Sequence, residues 1–246
     1  MRDVYTAPYI VLGQDYAKAP IVFTCEHATN YIPPDYTVKE SDETYLQMHW
    51  GYDIGVFDVV HHLVEILNCQ GVLANFSRLL CDPNRELTSS TLFLSEVNGY
   101  PLTFNQALDD SEKQRRIKTL YDPYHHAVSK TLEERMRVAP KPTLIAVHSF
   151  TPDFPGSDRS MDIGVLYDLH DAPAQKLCDA LTAEQFIVGD NAPYSGKAGM
   201  MYSAHVHSQQ WGLESLELEI RQDHIDTPEK AKALSVRLAR ALESLL

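Results

Sequence analysis

Short apolar runs rich in β-formers alternate along this chain with longer stretches of helical periodicity, and no other feature restricts its folds so strongly. Ile21 to Cys25, Val72 to Phe76, Thr143 to Val147, Ile163 to Tyr167, Phe186 to Val188 and Ser215 to Ile220 read as strands. Helices fit between them. Asp53 to Leu67 carries Ile54, Phe57, Val60, Val64 and Leu67 at three- and four-residue spacing, and Ser111 to Arg137 and Pro228 to Leu245 also read as helices. Parallel strands need crossover connections, so this alternation calls for a mainly parallel sheet with helices on both faces. The expected class is α/β: one three-layer αβα domain with a mixed, mainly parallel sheet. A chain of 246 residues fills one such domain, 1–246, whereas two would each be small. Tyr31 to Met48, Glu86 to Asp110 and Ser149 to Asp162 lack clean periodicity and are expected to be long loops.

Composition removes several functions. A hydrophobic fraction of 44% and a charged fraction of 22% exclude a disordered or fibrous chain. The net charge of −13, with no run of Lys or Arg, argues against a nucleic-acid partner, although a local basic pocket can still hold a small anion. Cys25, Cys69, Cys81 and Cys178 show no C-x-x-C spacing, which speaks against a zinc knuckle or disulfide framework and for a reducing compartment. MRDVYTAPYIVLGQ has no basic stretch followed by an apolar one, and no segment reaches the roughly 18 apolar residues of a membrane span. The expectation is a soluble cytoplasmic protein with no membrane partner.

Polar clusters follow several of the strands, and in α/β sheets ligands bind outside the strands' carboxyl ends. Thr24-Cys25-Glu26-His27-Ala28-Thr29-Asn30 comes first, where a neutral imidazole at a strand end is a good zinc ligand with Glu26 or Asn30 beside it; the plainer reading is a turn satisfied by its own polar groups. Thr143 to Val147 likewise ends on His148, followed by Ser149, and adjacent parallel strands would bring His27 and His148 to one edge. In Leu216 to Arg221, period-two alternation puts Glu217, Glu219 and Arg221 on one face, so one carboxylate faces the metal unless this is an edge strand with a solvated acidic face. Ser77 to Arg85 frames Asp82 and Asn84 with Arg78 and Arg85, whose guanidinium groups suit a substrate carboxylate or carbonyl, or else a surface ion pair with Asp82. Asp53 is either the N-cap of its helix or a third metal ligand. His61-His62 and His125-His126 lie in helical stretches and read as structural or exposed. His205 and His207, with the Asn191 to Gly196 segment, read as loop material near the site.

Taken together, CEHATNYIP at Cys25, HWGYDIG at His49, SRLLCDPNR at Ser77, HSFTP at His148, NAPYSG at Asn191 and LELEIR at Leu216 resemble the N-formylglutamate amidohydrolase family, from about Ile21 to Arg221. The PNR, HSF and EIR blocks are also similar to those of zinc carboxypeptidases and aspartoacylases, so the resemblance implies a zinc-exopeptidase-like architecture. It implies His27 and His148 as ligands of a divalent metal, most simply zinc, with Glu219 as general base and Asn84 and Arg85 as substrate and oxyanion contacts. Arg78, Ser149, Asn191 and Arg221 complete the candidate substrate contacts. The carboxypeptidase-type first motif is His-x-x-Glu, whereas Asn30 follows His27 here. The third ligand is therefore open among Asp53, Glu26 and Asn30, with Asp53 preferred. The implied reaction is hydrolysis of the amide of an N-formyl or other N-acyl amino acid by metal-activated water. Its rivals are a carboxypeptidase, an N-acyl-aspartate deacylase and a non-catalytic metal or anion binder.

Overall fold

A computed structural model describes residues 7–14, 17, 19–138, 141–154, 156 and 159–246. The first six residues of the N-terminal segment, and positions 155, 157 and 158 of the loop expected over Ser149 to Asp162, lie outside them. In chain order the elements are β1 (Tyr9–Leu12), β2 (Ile21–Cys25), α1 (Glu40–Gln47), α2 (Val56–Leu67), β3 (Gln70–Ala74), β4 (Glu96–Val97), β5 (Tyr100–Pro101) and α3 (Asp110–Arg116). They continue with α4 (Asp122–Met136), β6 (Thr143–Phe150), β7 (Ile163–Leu166), α5 (Asp171–Ala183), β8 (Val188–Asp190), α6 (Tyr202–Trp211), β9 (Ser215–Arg221) and α7 (Pro228–Leu242).

Seven strands form one mixed sheet in the order β1-β3-β2-β6-β9-β7-β8, with β4 and β5 a separate hairpin. Strands β3, β2, β6 and β9 run parallel, while β1 at one edge and the β7–β8 pair run against them. Each buried strand sends alternate side chains to opposite faces. Ile21, Phe23 and Cys25 of β2, Ile145 and Val147 of β6, and Leu216, Leu218 and Ile220 of β9 enter the core under α2, α5 and α7. Val22, Leu144 and Ala146 enter a second core with Tyr124 and Val128 of α4 and Ala204 of α6. That second face turns polar toward the strands' carboxyl ends: Ala146 is followed two residues on by His148, and Glu217 by Glu219. The register pairs His148 with Glu219 across β6 and β9.

Several boundaries differ from the sequence expectation for physical reasons. Helix α2 begins at Val56, because Gly55 takes a left-handed φ of 83° and a Cβ there would meet the Ile225 carbonyl oxygen at 2.1 Å. Asp53 therefore lies outside the helix and does not cap it. Ser111 to Arg137 is broken by a π turn at Ile117–Tyr121, just ahead of Pro123, which has no N–H to donate. Two supposed loops hold ordered elements. Helix α1 starts on Glu40, Asp42 and Glu43, acidic residues suited to a helix N-terminus, and β4–β5 turns on Asn98-Gly99, both at positive φ. Strand β9 is not an edge strand, since β6 and β7 flank it. Among the described residues no helix is long and apolar enough to cross a membrane.

Candidate active site

Two side chains of the site come from strand ends and one from the loop before α2. His27 follows β2 and His148 sits near the end of β6, and the Asp53 backbone N–H donates to the His27 carbonyl at 2.9 Å, pinning the loop to the strand. Asp53 Oδ2 lies 2.9 Å from His148 Nδ1 and 3.5 Å from His27 Nδ1. The Ser149 backbone N–H donates to the same oxygen at 3.2 Å. One ligand atom from each of His27, Asp53 and His148 falls within 4.8 Å of the others, and all three residues are buried.

The outer ring nitrogens are held as well. His27 Nε2–H donates to Asp82 Oδ1 at 2.8 Å, and His148 Nε2–H to Glu26 Oε2 at 3.0 Å. A second carboxylate on the far nitrogen fixes ring orientation and makes the near nitrogen a stronger ligand. Tyr124 O–H donates to Glu26 Oε1 at 2.7 Å, so this carboxylate is itself fixed. Glu26 thus stands behind His148, outside the cluster of His27, Asp53 and His148 atoms, and Asn30 lies away from that cluster, in a separate small cleft with Asp58 and Thr227.

Buried carboxylates outnumber their cations here. Glu26, Asp53, Asp82, Glu217 and Glu219 are all buried around two imidazoles and Arg78, and among the described residues Oε2 of both Glu217 and Glu219 has no hydrogen-bond partner. Burial pushes the Glu219 carboxyl well up and the Glu217 carboxyl to about 7, against the pull of His148. Burial works against a charged His148, yet Glu217, Asp53 and Glu26 together hold its pKa well above the usual imidazole range. Burial likewise opposes ionisation of Asp53, but Arg78 and the two histidines keep it well below the usual carboxylate range. Concentrated negative charge of this kind is costly in low dielectric without a cation. Two imidazoles plus a carboxylate form a donor set that suits zinc and leaves a coordination position open.

A cavity of about 600 Å³ opens over this cluster, within the range of small-molecule sites. His27, Asp53, Arg78, Asn84, Arg85, His148, Ser149 and Glu219 all line it. Arg78 is committed to the frame: it donates to His27 Nδ1 at 3.0 Å and to the Trp50 carbonyl at 3.0 Å, reaches the His49 carbonyl, and stands 3.2 Å from Asp53 Oδ1. Arg85 is half-exposed, with Nε 3.6 Å from Asp82 Oδ2. Asn84 accepts from the Ser203 backbone N–H at 2.9 Å, and Ser149 Oγ donates to the Ile54 carbonyl at 3.1 Å.

Two expected contacts are not in the cavity wall. The Asn191 side chain accepts from the Tyr167 and Gly196 backbone N–H groups at 3.1 and 3.0 Å, holding its own loop. Arg221 ends β9 in bonds to Asp223 and His224, one residue pair beyond Glu219 on the same face. His205 and His207 belong to helix α6 rather than a loop. His205 pairs with Asp168 and His207 packs on His125. Sequence reasoning passed over Asp82 as a partner of His27, because that link spans 55 residues; it set Glu217 on the same strand face as Glu219, and passed over Arg159 and His49 as cavity residues.

An open α/β sheet whose carboxyl ends carry a buried histidine–carboxylate cluster, set under a ligand-sized cavity, defines a protein of the enzyme class. The N-formylglutamate amidohydrolase family profile matches residues 19–225. The chain belongs to that family of amide hydrolases. A gene product of Agrobacterium tumefaciens is 29% identical, with a TM-score of 0.85 over 97% of this chain and 95% of its own. An N-formylglutamate amidohydrolase from Ralstonia eutropha shares the fold at 18% identity and TM-score 0.74, over 96% of this chain and 95% of its own. A search of curated proteins by sequence finds no match.

Proposed function

We propose that this protein hydrolyses the amide bond of an N-formyl or other N-acyl amino acid, N-formylglutamate foremost, with a divalent metal, zinc by its donor set, held by His27, Asp53 and His148. The observation that carries this reading is the convergence of two histidines and a carboxylate on one floor, each imidazole held from behind by its own carboxylate, with Glu219 in register beside His148. A metal held there supplies Lewis acidity to the attacking water and to the scissile carbonyl.

The chain's own groups do the rest. Glu219 accepts a proton from the attacking water and delivers it to the departing amine. Arg85 stands at the cavity wall as a donor to the carbonyl oxygen as negative charge builds on it. Asn84 and Ser149 flank the substrate's approach, and Arg78 braces His27 and Asp53.

Release of formate from N-formylglutamate by the zinc-loaded protein is the direct test, run beside N-acetyl amino acids, N-acetylaspartate and a dipeptide. Glu219→Gln is expected to keep its zinc and lose about 10²–10⁴-fold in turnover. Zinc-loaded protein inactive on the whole panel, or a Glu219→Gln variant of unchanged rate, would overturn the proposal.

A further inference from the structure

Arg159 is an arginine buried at 6% exposure on the wall of the same cavity. Its Nη1 donates to the Thr151 carbonyl at 2.7 Å and to Thr151 Oγ1 at 2.8 Å, and Nη2 donates to Tyr194 Oη at 2.8 Å. All three acceptors are neutral oxygens. A guanidinium carries five N–H donors, so the Nε–H, which has no partner among the described residues, and one Nη2–H remain. Two free donors on one guanidinium are what a carboxylate takes in a bidentate pair. Among the described residues no carboxylate pairs with this cation, although the chain carries 34 acidic residues against 21 basic. Burying a charge without a counter-ion is costly, and an anionic ligand removes that cost when it binds.

The surroundings indicate which anion. The Arg159 guanidinium lies 5.5, 4.6 and 5.4 Å from the ring centroids of Phe150, Phe154 and Tyr194, an apolar collar suited to a methylene stem. Arg85, by contrast, stands near Asp82 and hence near the ligand cluster. In an N-acyl amino acid the α-carboxylate is two bonds from the amide nitrogen and must stay close to the reacting centre. A side-chain carboxylate extends away from it.

We infer that Arg159 is the specificity-determining residue for substrates whose side chain ends in a carboxylate, held by the guanidinium edge that the Thr151 and Tyr194 bonds leave free. This inference rests on the hydrolase reading above for its reaction, though its binding can be measured without turnover.

The test compares N-formylglutamate with N-formylglutamine, a neutral near-isostere at the side chain, and with the α-amide of N-formylglutamate. Wild-type protein is expected to prefer glutamate to glutamine by roughly 30-fold or more in kcat/KM, the scale set by losing one partner of a buried charge pair. Arg159→Met is expected to collapse that ratio, chiefly through KM for N-formylglutamate, and Arg159→Lys, which keeps the charge without the fork, to keep part of it. The ratio is the readout because a merely structural Arg159 would lower both rates together. A ratio unchanged in Arg159→Met, or a loss of preference at the α-carboxylate instead, overturns the inference. Should Arg159→Met fail to fold by circular dichroism, Arg159→Lys decides on the same ratio. Wild-type protein that turns over none of the three would sink the hydrolase reading alone. Calorimetric binding of the same compounds would then decide: a glutamate preference lost in Arg159→Met supports Arg159, and equal binding of glutamate and glutamine overturns it.

Discussion

His27 and His148 show how much a single side chain depends on what stands behind it. Each presents Nδ1 to Asp53 and anchors Nε2 on a different carboxylate, Asp82 or Glu26. Asp82→Asn keeps the shape but weakens the hold on His27. It is expected to lower zinc affinity by about 10–100-fold, measured by competition with a chromogenic chelator; unchanged affinity would take Asp82 out of the site. Glu26→Gln is expected to act in the same range through His148, and more of its effect should fall on stability, because Tyr124 then loses a charged acceptor in the core. The sequence displayed His27, His148 and Glu219 as polar residues closing apolar runs. It did not display Asp82 as their partner, since a contact between residues so far apart leaves no periodic trace.

At the scale of elements, the site depends on strand parity. Leu216, Leu218 and Ile220 commit one face of β9 to the core, which forces Glu217 and Glu219 to the other, and the parallel register with β6 sets Glu219 beside His148. On the other flank, Gly164 of β7 faces Glu219, and a Cβ there would meet the Ala192 carbonyl oxygen at 1.9 Å. Backbone cannot yield as a side-chain end can. Gly164→Ala is expected to cost about 1–3 kcal/mol or more, read as a lower urea midpoint, with activity falling as the Glu219 strand shifts. An unchanged midpoint would show that the Ala192 loop gives way. Strands β2, β3 and β6 were legible as apolar runs, and β9 by its period-two alternation. Helices α5 and α6 and the β4–β5 hairpin were not: α6 has little one-sided apolar character, and the Asn98-Gly99 turn, a recognisable hairpin signal, joins strands only two residues long.

For the whole molecule, the metal proposed for the site would couple its binding to folding, because the buried carboxylates around it come together only in the folded chain. A ligand that binds only the folded chain stabilises it by about 2.7 kcal/mol at one hundred times its dissociation constant. For a chain of this size each kcal/mol shifts Tm by about 2–4 °C. Zinc-loaded protein is therefore expected to lose about 5–10 °C of Tm on treatment with a chelator, and to recover it when zinc is returned in excess, as read by scanning calorimetry. Identical melting with and without chelator would argue that Arg78 and His148 already balance the cluster.

From the sequence alone came the α/β class, the central strands and the polar residues that close them, because hydrophobic periodicity and strand-end chemistry are local properties. The family resemblance followed from the order and spacing of short blocks, and the profile match over residues 19–225 agrees with it. Tertiary structure alone decided that Asp53 meets both histidines, that Glu26 stands behind one of them and Asp82 behind the other, and that Arg159 shares their cavity while Asn191 and Arg221 do not. Those are distances between residues far apart in the chain, fixed by strand order, register and loop path. No stretch of neighbouring residues encodes them.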